Sequence, residues 1–307
     1  MSWSADVLGY IRAHPFLAGW PDAKLILDSF EPKLRISLPT ALPLWTCYAA
    51  SGKPERAMPL GAAFALLHMA SSVLDDFQDQ DTEDPWVSWS LERVLSSTLA
   101  MVFLSESCLG RLETNEVAKR EIIDGYAEGW LLAAVGQNLP VSGSQPVASY
   151  WRHALAKSSL GFAVAAWSGV RVVTADEKLQ QAAKDYGLAL GTLLQIADDC
   201  HDFVAAPNAQ SPSALLASLP VVIASEETDH PSHAELSSLL KADGRPLTNE
   251  WATSVCSLVT AMGGLTKAAA IGTVYEQKAV AALSAFDPLR TNELAEYART
   301  IFSSTAE

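Results

Sequence analysis

Two stretches of this chain, LLHMASSVLDDFQDQD and LGTLLQIADDCHDF, repeat one pattern: an apolar run that ends in two adjacent aspartates with a third at i+4. The carboxylates are Asp75, Asp76 and Asp79 in the first stretch and Asp198, Asp199 and Asp202 in the second. The apolar residues ahead of them recur at helical spacing, and in a helix the i and i+4 side chains stand one above the other on one face. Each stretch therefore reads as an apolar helix with a negatively charged end. Helical spacing also fills Leu60 to Leu74, Val94 to Leu104, Ile122 to Ala134 and Leu179 to Ile196. Gly, Pro, Ser and Asn cluster between such segments at Ser51 to Pro54, Asp81 to Pro85, Pro140 to Pro146, Pro207 to Pro212 and Asp243 to Pro246. This punctuation predicts an all-α chain of about ten or more helices packed as a bundle. No linker divides it, so residues 1–307 are expected to form a single domain.

With 49% hydrophobic residues the chain can bury a sizeable core. Its 35 acidic and 21 basic side chains give a formal charge of -14, which excludes a general attraction to nucleic acid or anionic lipid. An anionic ligand has to be met locally, by metal ions or a few placed Lys and Arg. Cys47, Cys108, Cys200 and Cys256 lie far apart with no CxxC spacing, the pattern of buried thiols in a reducing compartment. The opening MSWSADVLGYIRAHP lacks a basic segment followed by an apolar run, and the expected location is cytoplasmic. No run approaches the ~18 uninterrupted apolar residues of a membrane helix, so no membrane span is expected. Leu160 to Val170, flanked by Lys157 and Arg171, reads as a buried helix. No Gly-rich phosphate loop, nucleophile elbow or dinucleotide fingerprint is present.

Three carboxylates at the end of an apolar helix repel one another and lose hydration, so a cation is expected among them. Carboxylate oxygens are hard ligands, and Mg²⁺ is commonly held by one or two carboxylates plus substrate phosphates. Two such triads facing each other suit a metal cluster that grips a diphosphate. A single triad is also what a solvated helix end looks like; that account leaves unexplained why the pattern occurs twice, each time after a long apolar run. The apolar turns beneath each triad suit a dry pocket in which a carbocation survives. Cys200 and His201 lie within the second triad, but without a further Cys or His cluster they do not make a zinc site. His68 reads as a core histidine, and Trp130, Trp151 and Trp167 as core or cavity residues.

The motifs DDFQD and DDCHD resemble those of the trans-polyprenyl diphosphate synthase family. Around them, GKPERAMPLGAAFALLHMASSVLDD is similar to the family's loop and helix before the first motif. Gly136-Gln137 is similar to its mid-chain GQ, Lys157-Ser158 to its Lys-Thr pair, and Gln195 to the Gln three residues before the second motif. SLPVVIA and GGLTKAAAIGTVYEQKAVAALSAF extend the likeness to the C-terminal helices. The resemblance implies an isoprenoid synthase fold around a central apolar cavity, a prenyl diphosphate substrate, a cluster of three Mg²⁺ ions and a homodimer. It places Asp75, Asp76, Asp79, Asp198, Asp199 and Asp202 at the metal, Lys157 at the allylic diphosphate, and Gln137 and Gln195 in the cavity wall.

The chain also departs from the family. Where the family has GGKRxRP, this sequence reads EPKLRISLP and keeps only Lys33 and Arg35 as candidates for an acceptor diphosphate. After the first motif comes QDTEDPWVSW, acidic where the family is doubly basic, and Leu216 stands where a lysine is expected. Asp81, Glu83 and Asp84 would repel an acceptor diphosphate. The expected activity is therefore ionisation of an allylic diphosphate followed by cyclisation or elimination, as in class I terpene cyclases on this scaffold. The alternatives are a prenyltransferase using isopentenyl diphosphate or an unusual acceptor, and a non-catalytic subunit of a heteromeric synthase. Ala70 and Ser71, small residues one turn below Asp75, imply a deep pocket for a chain of about C15 to C25 by analogy with the family.

Overall fold

The structure is a computed structural model and describes residues 3–35, 38–79, 84–137, 146–208, 212–241 and 247–302. Among these residues the regular structure is helical throughout. In chain order the α-helices are α1 (Trp3–Arg12), α2 (Pro21–Arg35), α3 (Leu42–Ser51), α4 (Met58–Asp79), α5 (Leu91–Gly110), α6 (Glu116–Gln137) and α7 (Val147–Ala154). They continue with α8 (Leu160–Arg171), α9 (Glu177–Ala205), α10 (Leu219–Glu226), α11 (His233–Leu240), α12 (Asn249–Ala261), α13 (Gly264–Ala282) and α14 (Asn292–Thr300). Short 3-10 turns punctuate them, and the π turn Leu155–Ser159 joins α7 to α8. Helix ends follow local chemistry. Ser90 accepts the Arg93 N–H at the start of α5, Thr248 accepts the Trp251 N–H at the start of α12, and the Asp176 carboxylate accepts two N–H groups at the start of α9. α3 stops at Gly52, whose φ of 72° is a left-handed conformation that a side chain would strain.

The chain divides into two compact units: residues 1–130, 162–187 and 282–294 form the first, and residues 131–161, 188–281 and 295–307 the second. In the first unit α4 is the helix around which the others assemble. Leu60, Ala62, Ala63, Phe64, Ala65, Leu66, Met69 and Val73 are all buried, so the helix is covered on several faces, by α1, α3 and α5. The Tyr126 hydroxyl of α6 donates to the Leu60 carbonyl (3.1 Å), so its buried polar atom is satisfied on α4. Pro54–Gln78 is by length and composition apolar enough to cross a membrane, and its most apolar part is mostly buried inside the fold.

The second unit holds two apolar clusters that share α10. Val221 and Ala224 join Phe203, Leu215, Leu236, Val255 and Val259, while Leu219 and Val222 join Tyr150, Ala154, Ile196, Cys200 and Ala268. This double burial accounts for the uninterrupted apolar run of SLPVVIA on packing grounds.

Close helix approach in the first unit depends on a missing side chain. A Cβ on Gly169 of α8 would lie 2.1 Å from the Pro43 carbonyl oxygen and 2.2 Å from the Thr46 hydroxyl of α3, and that backbone cannot yield cheaply. Gly9 on α1 has open space instead. Gly169→Ala is expected to lower unfolding stability by about 1–3 kcal/mol through overpacking. Gly9→Ala is expected to leave it unchanged or raise it by up to about 1 kcal/mol through helix propensity. Urea denaturation of both variants checks this.

His14 gives the first unit a pH response. It is 3% exposed although it sits at the periphery, where the turn Pro15–Gly19 and α5 cover it. Its Nδ1 accepts the Phe16 N–H and its Nε2 lies 3.2 Å from the Ser107 hydroxyl, which leaves no place for a second proton. Burial first, and the Arg111 charge second, lower its pKa from 6.5. Protonation therefore favours the unfolded chain, so this contribution is constant above the unfolded value and stability falls as pH drops below it. Wild type is expected to lose more stability between pH 7.5 and 5 than His14→Gln, measured as the difference in urea midpoints.

Candidate active site

The second motif occupies the C-terminal part of α9, within the second unit. Its carboxylates are not equivalent. Asp199 is 8% exposed and has protein donors on both oxygens: Oδ1 accepts the Gln195 amide at 2.9 Å, and Oδ2 accepts the Leu219 N–H at 2.8 Å. Leu219 is the first residue of α10. The preceding Ser218 turns its hydroxyl to the Leu215 carbonyl, so Asp199 supplies the N-terminal cap that Ser218 does not. The Tyr150 hydroxyl, buried and outside hydrogen-bonding geometry, lies close enough to feel the same carboxylate. Burial raises the Asp199 pKa to about 6, against the Tyr150, Gln195 and Leu219 groups, which favour the anion.

Asp198 and Asp202 stand one turn apart and both are exposed. Water reaches Asp198 through a surface that protein crowds on its other sides, a partial confinement. Its pKa is pushed up, first by that confinement and then by the charges of Asp202 and Asp199, against the pull of His201 and Lys157. His201 is exposed, with Nδ1 3.7 Å from the Asp202 carboxylate, whereas Cys200 is buried and its thiol is pushed up to about 12. The two therefore do not present a joint zinc-binding pair.

Lys157 sits in the π turn, a local widening of the helix that often marks functional positions. The next residues tie that turn to α9. Ser158 donates to the Gln195 side-chain oxygen at 2.6 Å, and Ser159 and Thr192 share a hydrogen bond of 2.8 Å. Gly136, just before Gln137, has no room for a Cβ, which would lie 2.7 Å from the Ala156 Cβ and 2.8 Å from the Lys157 nitrogen. The structure thus brings Gly136-Gln137, Lys157-Ser158, Gln195 and Asp199, far apart in sequence, into one neighbourhood of the second unit.

The first motif ends α4 in the first unit. Asp75 and Asp76 are half-buried, and the Trp86 indole donates to Asp76 Oδ2 at 3.0 Å. Ala70 is buried and Ser71 exposed, with its hydroxyl turned back to the His68 carbonyl, so the two small residues do not share a face. Lys33 and Arg35 close α2, but their side chains, with that of Asp79, lie outside the described residues. Tyr150 was not picked out by spacing, because it belongs to no acidic motif and only the tertiary packing sets it beside one; Trp86 stands out in the sequence as the Trp that follows DDFQDQD, and the packing adds its contact with Asp76. Trp167 donates to Gln180 at 3.1 Å and is structural; Trp130 packs against Phe64, and Trp151 against Tyr150.

Among the described residues no three His, Cys, Asp or Glu side chains converge closely enough to hold a metal unaided. The donor chemistry nevertheless fits Mg²⁺. Asp198 and Asp202 are hard oxygen donors whose mutual repulsion a divalent ion relieves, and Mg²⁺ fills its sphere with substrate oxygens and water rather than with an all-protein cage.

The capping geometry separates the two adjacent aspartates experimentally. Asp199→Ala leaves the Leu219 N–H without its acceptor and is expected to cost about 1–3 kcal/mol. Asp199→Asn, which retains an acceptor, should be far milder, and Asp198→Ala should leave stability unchanged or slightly raised. Equal urea midpoints for Asp199→Ala and Asp198→Ala would refute the capping role.

No curated protein matches the chain by sequence. Solved structures do match its fold over nearly its full length. A geranylgeranyl pyrophosphate synthase from Lactobacillus brevis superposes with a TM-score of 0.81 at 17% identity, covering 97% of this chain and 95% of that one. The geranylgeranyl pyrophosphate synthetase of Pyrococcus horikoshii gives 0.78 at 17% identity over 97% and 94%. A polyprenyl synthase from Caulobacter crescentus, complexed with calcium and isoprenyl diphosphate, gives 0.72 at 21% identity over 85% and 83%. These likenesses are to the isoprenoid synthase fold. The family model for polyprenyl synthetases matches residues 39–246, a span that contains both aspartate motifs, Gln137, Lys157 and Gln195. The chain belongs to the polyprenyl synthetase family and is an isoprenoid synthase, an enzyme of prenyl diphosphate chemistry.

Proposed function

We propose that this enzyme ionises an allylic prenyl diphosphate of about C15 to C25 and completes the reaction within that one molecule, by cyclisation or elimination. The observation that carries this reading is the lack of basic residues after the first motif, where the family is doubly basic. Between Arg56 and Arg93 the sequence contains no Lys or Arg. Both flanking arginines are engaged elsewhere: Arg56 donates to the Glu113 carbonyl at 2.8 Å, and Arg93 bonds Asp22 at 2.7 Å while lying over the Trp89 ring. The segment after the first motif instead buries Trp86 completely, and Leu216 stands at the expected lysine.

The carbon–oxygen bond breaks with its electron pair leaving on pyrophosphate. The allylic cation then closes onto a double bond of its own chain or loses a proton, with pyrophosphate as the base. We assign Asp75, Asp76 and Asp79 on α4 and, separately, Asp198 and Asp202 on α9 as metal ligands, while Asp199 positions the end of α9 through α10. Mg²⁺ ions held by these carboxylates, three in all, would neutralise the charge that develops on the leaving group. Lys157 contributes a cation to the same diphosphate, and Ser158 and Gln195 hold the turn that carries it. We also propose a homodimer; Leu91, Leu95, Leu99 and Phe103, exposed at i+4 spacing along α5, support it as an apolar stripe that a second copy can cover.

Purified protein with Mg²⁺ and geranyl, farnesyl or geranylgeranyl diphosphate, each with and without isopentenyl diphosphate, tests the reaction by mass spectrometry. A hydrocarbon or terpene alcohol is expected from one allylic substrate alone. A longer diphosphate formed only when isopentenyl diphosphate is present would replace this reading with chain elongation.

A further inference from the structure

We infer that Trp86 is a positioning residue for the first aspartate motif, its indole N–H setting the orientation in which the Asp76 carboxylate meets metal-bound diphosphate. The inference rests on the reading of Asp76 as a metal-facing carboxylate and adds the group that holds it in place. Trp86 lies ten residues beyond Asp76 in sequence, in the short turn Pro85–Ser88. That turn is closed by its own hydrogen bonds, Val87 N–H to the Asp84 carbonyl (3.2 Å) and Trp89 N–H to the Trp86 carbonyl (3.0 Å). Proline at its first position restricts the backbone further.

The ring itself is 0% exposed and stacks on Phe30 of α2, with centroids 5.1 Å apart and planes 9° from parallel. A side chain fixed on both counts has one polar atom, and that atom donates to Asp76 Oδ2 at 3.0 Å. A buried indole N–H requires an acceptor, which explains the contact from the side of the tryptophan. From the side of Asp76, the contact falls on one oxygen of a half-buried carboxylate at a helix end. A rigid donor there orients the carboxylate, in the way that outer partners orient the ligands of metal sites.

The decisive variants remove the donor and the acceptor separately. Trp86→Phe keeps an aromatic ring against Phe30 and loses the N–H; Trp86→Met, which also has no donor, serves the same purpose if the first proves unstable. Titration calorimetry of Mg²⁺ with inorganic pyrophosphate measures binding without turnover. The donor-free variant is expected to bind about ten-fold more weakly than wild type. Asp76→Asn should bind more weakly still. Phe30→Leu, which weakens the stacking but leaves the N–H, should lower thermal stability while keeping the affinity within about two-fold. An unchanged affinity in the folded Trp86 variants, with Asp76→Asn impaired, would overturn the positioning role and leave the reading of Asp76 standing. Wild-type affinity in Asp76→Asn would overturn both.

Discussion

A helix covered on several faces cannot end in ionised carboxylates unless its last turn reaches water or meets donors, because an uncompensated buried charge costs several kcal/mol. The surroundings of α4 and α9 answer to this constraint. Along α4, buried Leu60, Phe64, Leu66, Met69 and Val73 give way to half-buried Asp75 and Asp76. Along α9, buried Leu190, Leu193 and Ile196 lead to a carboxylate that water reaches, Asp198, and to one that protein donors satisfy, Asp199.

The two solutions have different consequences. Asp198 and Asp202 keep their repulsion unresolved within the protein, and such groups favour an incoming divalent ion. Asp199 is held by protein donors: it caps α10 and, through Gln195 and Ser158, links to the turn that carries Lys157. Adjacent residues with the same side chain thus meet different surroundings, set by which direction each faces around α9.

On α4 the corresponding support comes from an aromatic side chain. Trp86 fills space after the first motif and satisfies its own N–H on Asp76, so one residue both packs that turn and contacts the motif.

Much was legible in the sequence because it depends on spacing alone. Helical periodicity and Gly/Pro punctuation determined the all-α class, and the i, i+4 carboxylates after apolar runs marked two helix ends that gather acidic groups. The resemblance of GQ, the Lys-Ser pair and Gln195 to one family marked the neighbourhood that Gly136, Ser158 and Gln195 form. Tertiary structure alone decided what each carboxylate does, since the donors on Asp199 come from α10 and the donor on Asp76 from a turn beyond its own helix. It also decided that Ala70 and Ser71 lie on different faces, and that Arg56 and Arg93 are engaged elsewhere. The physical reason is that periodicity reports the face of a helix a residue occupies, whereas hydrogen-bond partners and burial depend on which distant segment packs against that face.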